Sequence, residues 1–128
     1  MFLLDTCALL WLASGDRALS KAAREAIAAP NAPLYVSAIS AFEIGIKERR
    51  GALALPLAAD RWYVRALAHH GVEEIAVDSA IALRSTRLPP LHADPCDRII
   101  VATALRDHLA VLTPDALIRR YPGVTTLW

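Results

Sequence analysis

A chain of 128 residues is long enough for one domain with a sizeable core, and 55% of its residues are hydrophobic. Its net charge of +1 excludes the strongly basic class of nucleic-acid-binding proteins, although a local basic rim around an acidic cleft stays compatible with it. No apolar run approaches the length of a membrane span, and Asp5 interrupts the apolar N-terminus too early for a signal peptide.

Short apolar segments of strand type alternate with helical segments along the whole chain. In chain order we predict a strand at 2–4, a helix at 8–13, a helix capped by Ser20 and ending at 28, a strand at 34–36, a helix at 37–50, a helix at 57–70, a strand at 74–77, a helix at 79–87, a helix opened by Pro95, a strand at 110–112, a short helix after Asp115 and a strand at 124–128. This alternation predicts an α/β fold with a short parallel central sheet, helices on both faces, and a single domain spanning residues 1–128.

The stretch 94–105 is predicted to be the central helix around which the chain is arranged. Asp94 can cap this helix, Pro95 suits its first position, and Asp97 falls in its first turn. From Ile99 onward the stretch is almost wholly apolar, so the helix is expected to be buried on most sides. The two carboxylates at its start either cap the helix and interact favourably with its dipole or belong to a functional site. We assign the capping role to Asp94.

Three acidic residues are expected at one edge of the sheet. Asp5 follows the first strand directly, Asp115 follows the strand at 110–112, and Asp97 opens the helix before that strand. In parallel sheets the ligand crevice lies beyond the carboxyl ends of the strands, so these side chains should converge there. Acids at strand ends also serve as helix caps, which is the alternative interpretation.

Glu43 is the fourth candidate. It shares a helical stripe with Ile39 and Ile46, so it should face the body of the protein unless it lies at the rim of a cleft. The alternative is an ordinary ion pair with Lys47 on a partly exposed edge.

A cluster of these four acids would need a compensating positive charge or raised pKa values. Two carboxylates about 5 Å apart repel by roughly 3 kcal/mol at an effective dielectric near 20. The six pairs sum to the order of 10–20 kcal/mol, which rivals the ~5–15 kcal/mol stability of a whole domain. Oxygen-only ligands favour Mg²⁺ or Mn²⁺, and such an ion can activate water against a phosphodiester while one free carboxylate takes the proton.

Four segments of the chain resemble PIN-domain ribonucleases, and most of all the VapC-type toxins of bacterial toxin–antitoxin pairs. The segments are Leu3-Leu4-Asp5-Thr6 with residues 8–11, the helix 37–47 with Glu43, Asp94-Pro95-Cys96-Asp97-Arg98, and Leu112-Thr113-Pro114-Asp115. The C-terminus, from Pro122-Gly123-Val124 to Leu127-Trp128, is also similar to the end of those chains. The resemblance covers essentially the entire chain and keeps the order and approximate spacing of the four acids.

This resemblance implies a Mg²⁺- or Mn²⁺-dependent endoribonuclease that acts on RNA. A chain with only two cysteines also fits a reducing cytoplasm. The resemblance implies a homodimer, which the high apolar content also favours, and a small cognate antitoxin that blocks the acidic cleft. By position, the catalytic and metal-binding residues are Asp5, Glu43, Asp97 and Asp115. Thr6 and Thr113 then supply supporting hydroxyl groups.

The remaining polar and aromatic residues are given plainer roles. Cys7 and Cys96, which depart from the family pattern, are predicted to be small buried hydrophobic residues, and two cysteines give no disulfide framework. None of the histidines has ligand spacing with a cysteine, so surface or loop roles are expected for His69, His70, His92 and His108. The tryptophans should be core or dimer contacts. The cations Lys47, Arg49 and Arg50 either attract RNA phosphates or neutralise the end of a helix.

Three other functional classes are alternatives to the ribonuclease hypothesis. The principal alternative is a catalytically inactive PIN-like module that binds RNA or protein. A phosphoacceptor signalling domain would need adjacent acids after the first strand and a late lysine, but Thr6 follows Asp5 and no lysine follows Lys47. A phosphatase of the haloacid dehalogenase type would need an aspartate where Cys7 stands.

Overall fold

The structure, a computed structural model, describes all residues from 1 to 128. It contains five strands and seven helices: β1 (Phe2–Leu4), α1 (Thr6–Ser14), α2 (Lys21–Ala28), β2 (Leu34–Ser37), α3 (Ala38–Arg49), α4 (Ala59–His70), β3 (Val72–Ile75), α5 (Ser79–Thr86), α6 (Pro95–Asp107), β4 (Ala110–Leu112), α7 (Ala116–Arg119) and β5 (Thr126–Leu127). The predicted alternation of strands and helices is therefore confirmed.

The five strands form one sheet in the order β3-β2-β1-β4-β5, and every neighbouring pair is parallel. The central strand is β1, whose last residue, Leu4, lies opposite Val36 of β2 and Leu112 of β4. The residues that follow these strand ends therefore emerge at one edge of the sheet, with Asp5 beside Thr113.

Helices cover both faces of the sheet, as predicted, because successive strand residues point to opposite sides. Leu4 and Leu112 pack on one side, in a cluster that includes Trp62 of α4. Leu3 and Val111 pack on the other side, in a cluster with residues of α6 and α7. Each leucine side chain that is fully buried in this way contributes about 1.5–3 kcal/mol to stability.

The central helix, α6, is buried as the sequence predicted: residues 100–104 are at most 2% exposed. Asp94 caps this helix, since its Oδ1 accepts a hydrogen bond from the backbone N–H of Cys96 at 2.8 Å. The helix ends at Asp107, and the next residue, His108, adopts a left-handed conformation with φ of 54°. No helix of the structure has both the length and the apolar character needed to cross a membrane.

Four predicted elements have an end that differs from the structure by two residues. The third strand is Val72–Ile75 instead of 74–77, and the last strand is Thr126–Leu127 instead of 124–128. Both strands lie at the edges of the sheet, where polar residues are tolerated on the open side and the apolar pattern is therefore weak. The first helix begins at Thr6 because Asp5 caps it, and the fourth helix begins at Ala59, two residues later than predicted.

Candidate active site

A cleft of about 360 Å³ opens at the carboxyl edge of the sheet. It is lined by nine residues: Asp5, Thr6, Cys7, Glu43, Lys47, Asp94, Asp97, Pro114 and Asp115. All four acids proposed from the sequence are among them, so the fold gathers carboxylates that are far apart in the chain into one cleft.

Asp5 uses its two carboxylate oxygens for different purposes. Oδ1 accepts a hydrogen bond from the backbone N–H of Ala8 at 2.8 Å and so caps α1. Oδ2 accepts a hydrogen bond from the Thr113 hydroxyl at 2.5 Å. Burial raises the pKa of Asp5 to about 6, despite these hydrogen bonds, and repulsion from Asp115 and Glu43 adds to the shift.

Asp115 divides its oxygens in the same way. Oδ1 accepts hydrogen bonds from the backbone N–H groups of Leu117 at 2.7 Å and Ile118 at 3.4 Å, which caps α7. Oδ2 lies 2.9 Å from Nε2 of His92. Burial pushes the pKa of Asp115 upward, but the hydrogen bond from His92 and those from the backbone outweigh it and leave the pKa below its usual value. Capping and membership of the cleft are therefore compatible roles for an acid at a strand end.

Asp97 is the acid whose charge is least favoured by its surroundings. Its Oδ2 lies 3.1 Å from Nε2 of His92. Burial, followed by repulsion from Asp94, raises the pKa of Asp97 to about 7, although His92 acts in the opposite direction. Asp97 accepts no hydrogen bond from a backbone N–H group and so does not cap a helix. Its position is therefore explained by the cleft.

Glu43 faces the cleft and also pairs with Lys47, so both of its predicted arrangements are present. Oε1 accepts a hydrogen bond from the Thr6 hydroxyl at 2.7 Å, and Thr6 is also 2.9 Å from the Ser40 hydroxyl. Oε2 lies 3.0 Å from Nζ of Lys47. Thr6 and Thr113 thus hold one acid each, as the resemblance implied, and Lys47 brings a positive charge to the cleft wall.

His92 is the residue that sequence reasoning missed. It lies in the loop between α5 and α6, as expected of a loop histidine, but its side chain is only 11% exposed and reaches two acids of the cleft. One potential ligand atom from each of His92, Asp97 and Asp115 lies within 4.8 Å of the others, whereas Asp5 and Glu43 are outside this tight group. One feature of the sequence could have indicated that His92 reaches the cleft. His92 lies two residues before Asp94 and directly follows the stiff segment that contains Pro89 and Pro90.

The two cysteines are free and half-buried, so the prediction that they are buried is only partly correct. Cys7 lines the cleft, where burial and the neighbouring Asp5 raise the pKa of its thiol to about 11. Burial and Asp94 raise the pKa of the Cys96 thiol to about 11 as well. Thiols in this state remain protonated at neutral pH and are poor nucleophiles and poor metal ligands.

The donor set of the cleft fits a hard divalent cation. Four carboxylates supply oxygen atoms, and the pKa values of Asp5 and Asp97, raised first by burial and then by neighbouring acids, show that the cleft disfavours these negative charges. Mg²⁺ and Mn²⁺ bind such oxygen ligands, whereas zinc sites usually add thiolate or imidazole. The protonated thiols carry no charge, and the one positive charge of Lys47 cannot neutralise four carboxylates in place of that cation.

Comparisons with known proteins agree with this fold. Residues 2–124 match the PIN domain family. The chain is 33% identical to Ribonuclease VapC22 of Mycobacterium tuberculosis over 131 aligned positions, which cover 98% of this chain and 97% of that protein.

Solved structures share the architecture. The VapBC2 structure from Rickettsia felis, bound to a promoter DNA fragment, has a TM-score of 0.74 at 14% identity and covers 98% of this chain and 96% of its own. A toxin–antitoxin complex from Klebsiella pneumoniae has a TM-score of 0.67 at 26% identity, with 98% and 97% covered. The chain is therefore a PIN-domain protein of the VapC type.

Proposed function

We propose that this protein is a metal-dependent endoribonuclease that hydrolyses phosphodiester bonds of RNA. The observation that carries the proposal is the single cleft in which Asp5, Glu43, Asp97 and Asp115 meet, in a chain related over its length to a protein named as a ribonuclease. The intact set of four acids favours this function over the inactive binding module, because a module that only binds RNA has no need for clustered carboxylates and would gain affinity by losing them.

The four carboxylates are the proposed ligands of Mg²⁺, with Mn²⁺ as a substitute. When bound, such an ion polarises the phosphodiester, makes water a stronger nucleophile and stabilises the leaving oxygen. The hydroxyls of Thr6 and Thr113 orient Glu43 and Asp5, and the helix N-termini fix one oxygen each of Asp5 and Asp115. A carboxylate oxygen that is left free would accept the proton of the attacking water.

Lys47 is the proposed contact for an RNA phosphate at this cleft. Its ammonium lies beside Glu43, and 40% of the side chain remains exposed. Burial disfavours its charge, but the Glu43 carboxylate outweighs this effect and raises the pKa of Lys47, so the residue stays positively charged. Arg49 and Arg50 are exposed just beyond it and extend the positive rim that would attract a nucleic acid backbone.

The proposal is tested by removing and restoring the metal. RNA incubated with the purified protein should be cleaved in Mg²⁺ or Mn²⁺, left intact when a chelator is added, and cleaved again when the ion is returned in excess. A labelled RNA resolved by gel electrophoresis gives the rate. Binding of RNA without turnover in either ion, across structured and single-stranded substrates, would support the inactive module instead.

We further propose that the protein is the toxin of a toxin–antitoxin pair, with a small antitoxin as its partner. Support comes from the solved relatives, which are described as VapBC assemblies and as a toxin–antitoxin complex. Expression of the chain alone should arrest bacterial growth, and co-expression of the small protein encoded next to it should relieve the arrest. Unimpaired growth during expression of active, soluble protein would contradict the toxin role.

A homodimer in the cytoplasm is the proposed state of the protein. Phe42 on α3, Val64 on α4 and Leu83 on α5 have large apolar side chains that are more than half exposed, and they are the proposed candidates for contact with the second copy. Both cysteines are free, as is typical of a reducing compartment. Sedimentation at micromolar concentration distinguishes the dimer from a 13.9 kDa monomer.

A further inference from the structure

The loop that carries His92 is held to α6 by one side chain, Arg98. Its guanidinium donates hydrogen bonds to the carbonyl oxygens of Ser85 (2.8 Å), Leu88 (3.0 Å), Pro89 (3.1 Å) and His92 (3.4 Å), and to the Tyr121 hydroxyl (3.3 Å). Loop carbonyls have no partners in a helix or sheet, so one rigid planar cation satisfies several of them together. Arg98 directly follows Asp97, and the loop is therefore anchored beside the acid that it must approach.

Tyr121, which also contacts Arg98, fixes the same residue. Its hydroxyl, on a side chain that is 2% exposed, accepts a hydrogen bond from the backbone N–H of His92 at 3.0 Å. Arg98 meanwhile binds the carbonyl of His92. Both backbone groups of His92 are thus paired, and this determines where its imidazole can reach.

The backbone also determines which ring nitrogen carries the proton. The N–H of Asp94 donates to Nδ1 of His92 at 3.1 Å. A backbone amide can only donate, so Nδ1 must offer its lone pair, and the ring proton of the neutral imidazole is on Nε2. Nε2 donates its N–H to Oδ2 of Asp115 at 2.9 Å, and Oδ2 of Asp97 lies 3.1 Å from the same nitrogen, in electrostatic contact with it.

This tautomer separates His92 from the metal ligands. A histidine that binds a metal through Nε2 needs the lone pair there and the proton on Nδ1, where the Asp94 N–H would oppose it. We propose that His92 is a positioning residue: its Nε2–H holds Asp115 by a hydrogen bond and keeps it beside Asp97, which lies in contact with the same ring nitrogen, and Arg98 and Tyr121 hold His92. The role at the metal rests on the proposed function, whereas the hydrogen-bonding arrangement is a property of the metal-free protein.

The first test is the tautomer itself. In metal-free protein with ¹⁵N-labelled imidazoles, NMR should show Nδ1 of His92 as an unprotonated acceptor and Nε2 as a protonated donor. Exposed His69 on α4 is the reference, because no hydrogen bond of the structure fixes its tautomer. A proton on Nδ1 of His92, with Nε2 bare, would overturn the proposal and indicate a ligand.

The second test is metal affinity, measured by calorimetric titration with Mn²⁺. His92→Gln keeps an N–H group near the place of Nε2 and should stay within a few-fold of the wild type. His92→Ala removes the donor and should weaken binding about 10-fold to 100-fold, as is usual when a partner of a ligand is lost. Tyr121→Phe should fall between them, and His69→Ala should have no effect.

The two variants of His92 separate positioning from ligation. Equal losses in His92→Gln and His92→Ala would indicate a ligand, and no loss in His92→Ala would show that the contact is dispensable; either result overturns the proposal. Far-UV circular dichroism establishes that each variant is folded. If the wild type binds no Mn²⁺, the proposed function fails, and the NMR measurement alone decides the assignment of His92.

Discussion

Asp97→Asn should reduce the rate of RNA cleavage at least 100-fold while the protein stays folded. The substitution keeps the size of the side chain and leaves an amide oxygen that can face Nε2 of His92, but it removes one negative charge from the cleft. A divalent ion held by carboxylates contributes several kcal/mol to the stabilisation of the transition state, and about 1.4 kcal/mol corresponds to a factor of ten in rate. Initial rates at saturating Mg²⁺ with a labelled RNA measure the loss.

Asp107→Asn is the matched control, because Asp107 lies on the same helix and carries the same charge. It pairs with Arg106 through both carboxylate oxygens and does not line the cleft. Its rate of cleavage should remain close to that of the wild type. If the Asp97 and Asp107 variants cleave RNA at comparable rates, Asp97 is not part of the active site. If the acids act together, Asp5→Asn should lose activity to the same extent as Asp97→Asn.

The convergence of the acids could be predicted from the sequence because it follows from the sheet. Once Phe2–Leu4 and Ala110–Leu112 are parallel neighbours, the residues after them must lie at the same edge, and this brings Asp5 close to Asp115. The capped, apolar segment after Asp94 likewise required a buried helix whose start carries Asp97. These conclusions depend only on periodicity and on the direction of the strands.

The features that were missed depend on contacts that no local pattern records. The third strand begins at Val72 because Val72 pairs with Leu34, whereas its Glu73 and Glu74 side chains are exposed and dilute the apolar signal. His92 reaches the cleft because Arg98 and Tyr121 shape the loop around it, and one of these residues is 29 positions away in the chain. A loop conformation set by such distant partners cannot be derived from spacing alone.

The stability of the metal-free protein should fall as the pH rises from about 5 to about 8. The folded-state pKa is about 7 for Asp97 and about 6 for Asp5, compared with 3.8 for an ordinary aspartate. Between 3.8 and these values the folded protein binds more protons than the unfolded chain, so raising the pH favours unfolding. Since one pKa unit corresponds to about 1.4 kcal/mol, we expect a loss of about 2–4 kcal/mol, measured by urea unfolding in the presence of a chelator.

Asp97→Asn and added Mg²⁺ should each flatten this dependence, for related reasons. The variant no longer has the charge that burial penalises, and at pH 8 it should be more stable than the wild type although it is inactive. The ion binds ionised carboxylates, so it stabilises the folded state most at high pH. Burial lowers the pKa of His70, so this residue makes stability rise with pH, in the wild type and in the variant alike. The difference in stability between the two proteins at each pH therefore reports on Asp97 alone. The prediction is contradicted if the stability of the wild type rises from pH 5 to 8 to the same extent as that of the variant. In that case the ionised acids of the cleft do not destabilise the folded protein.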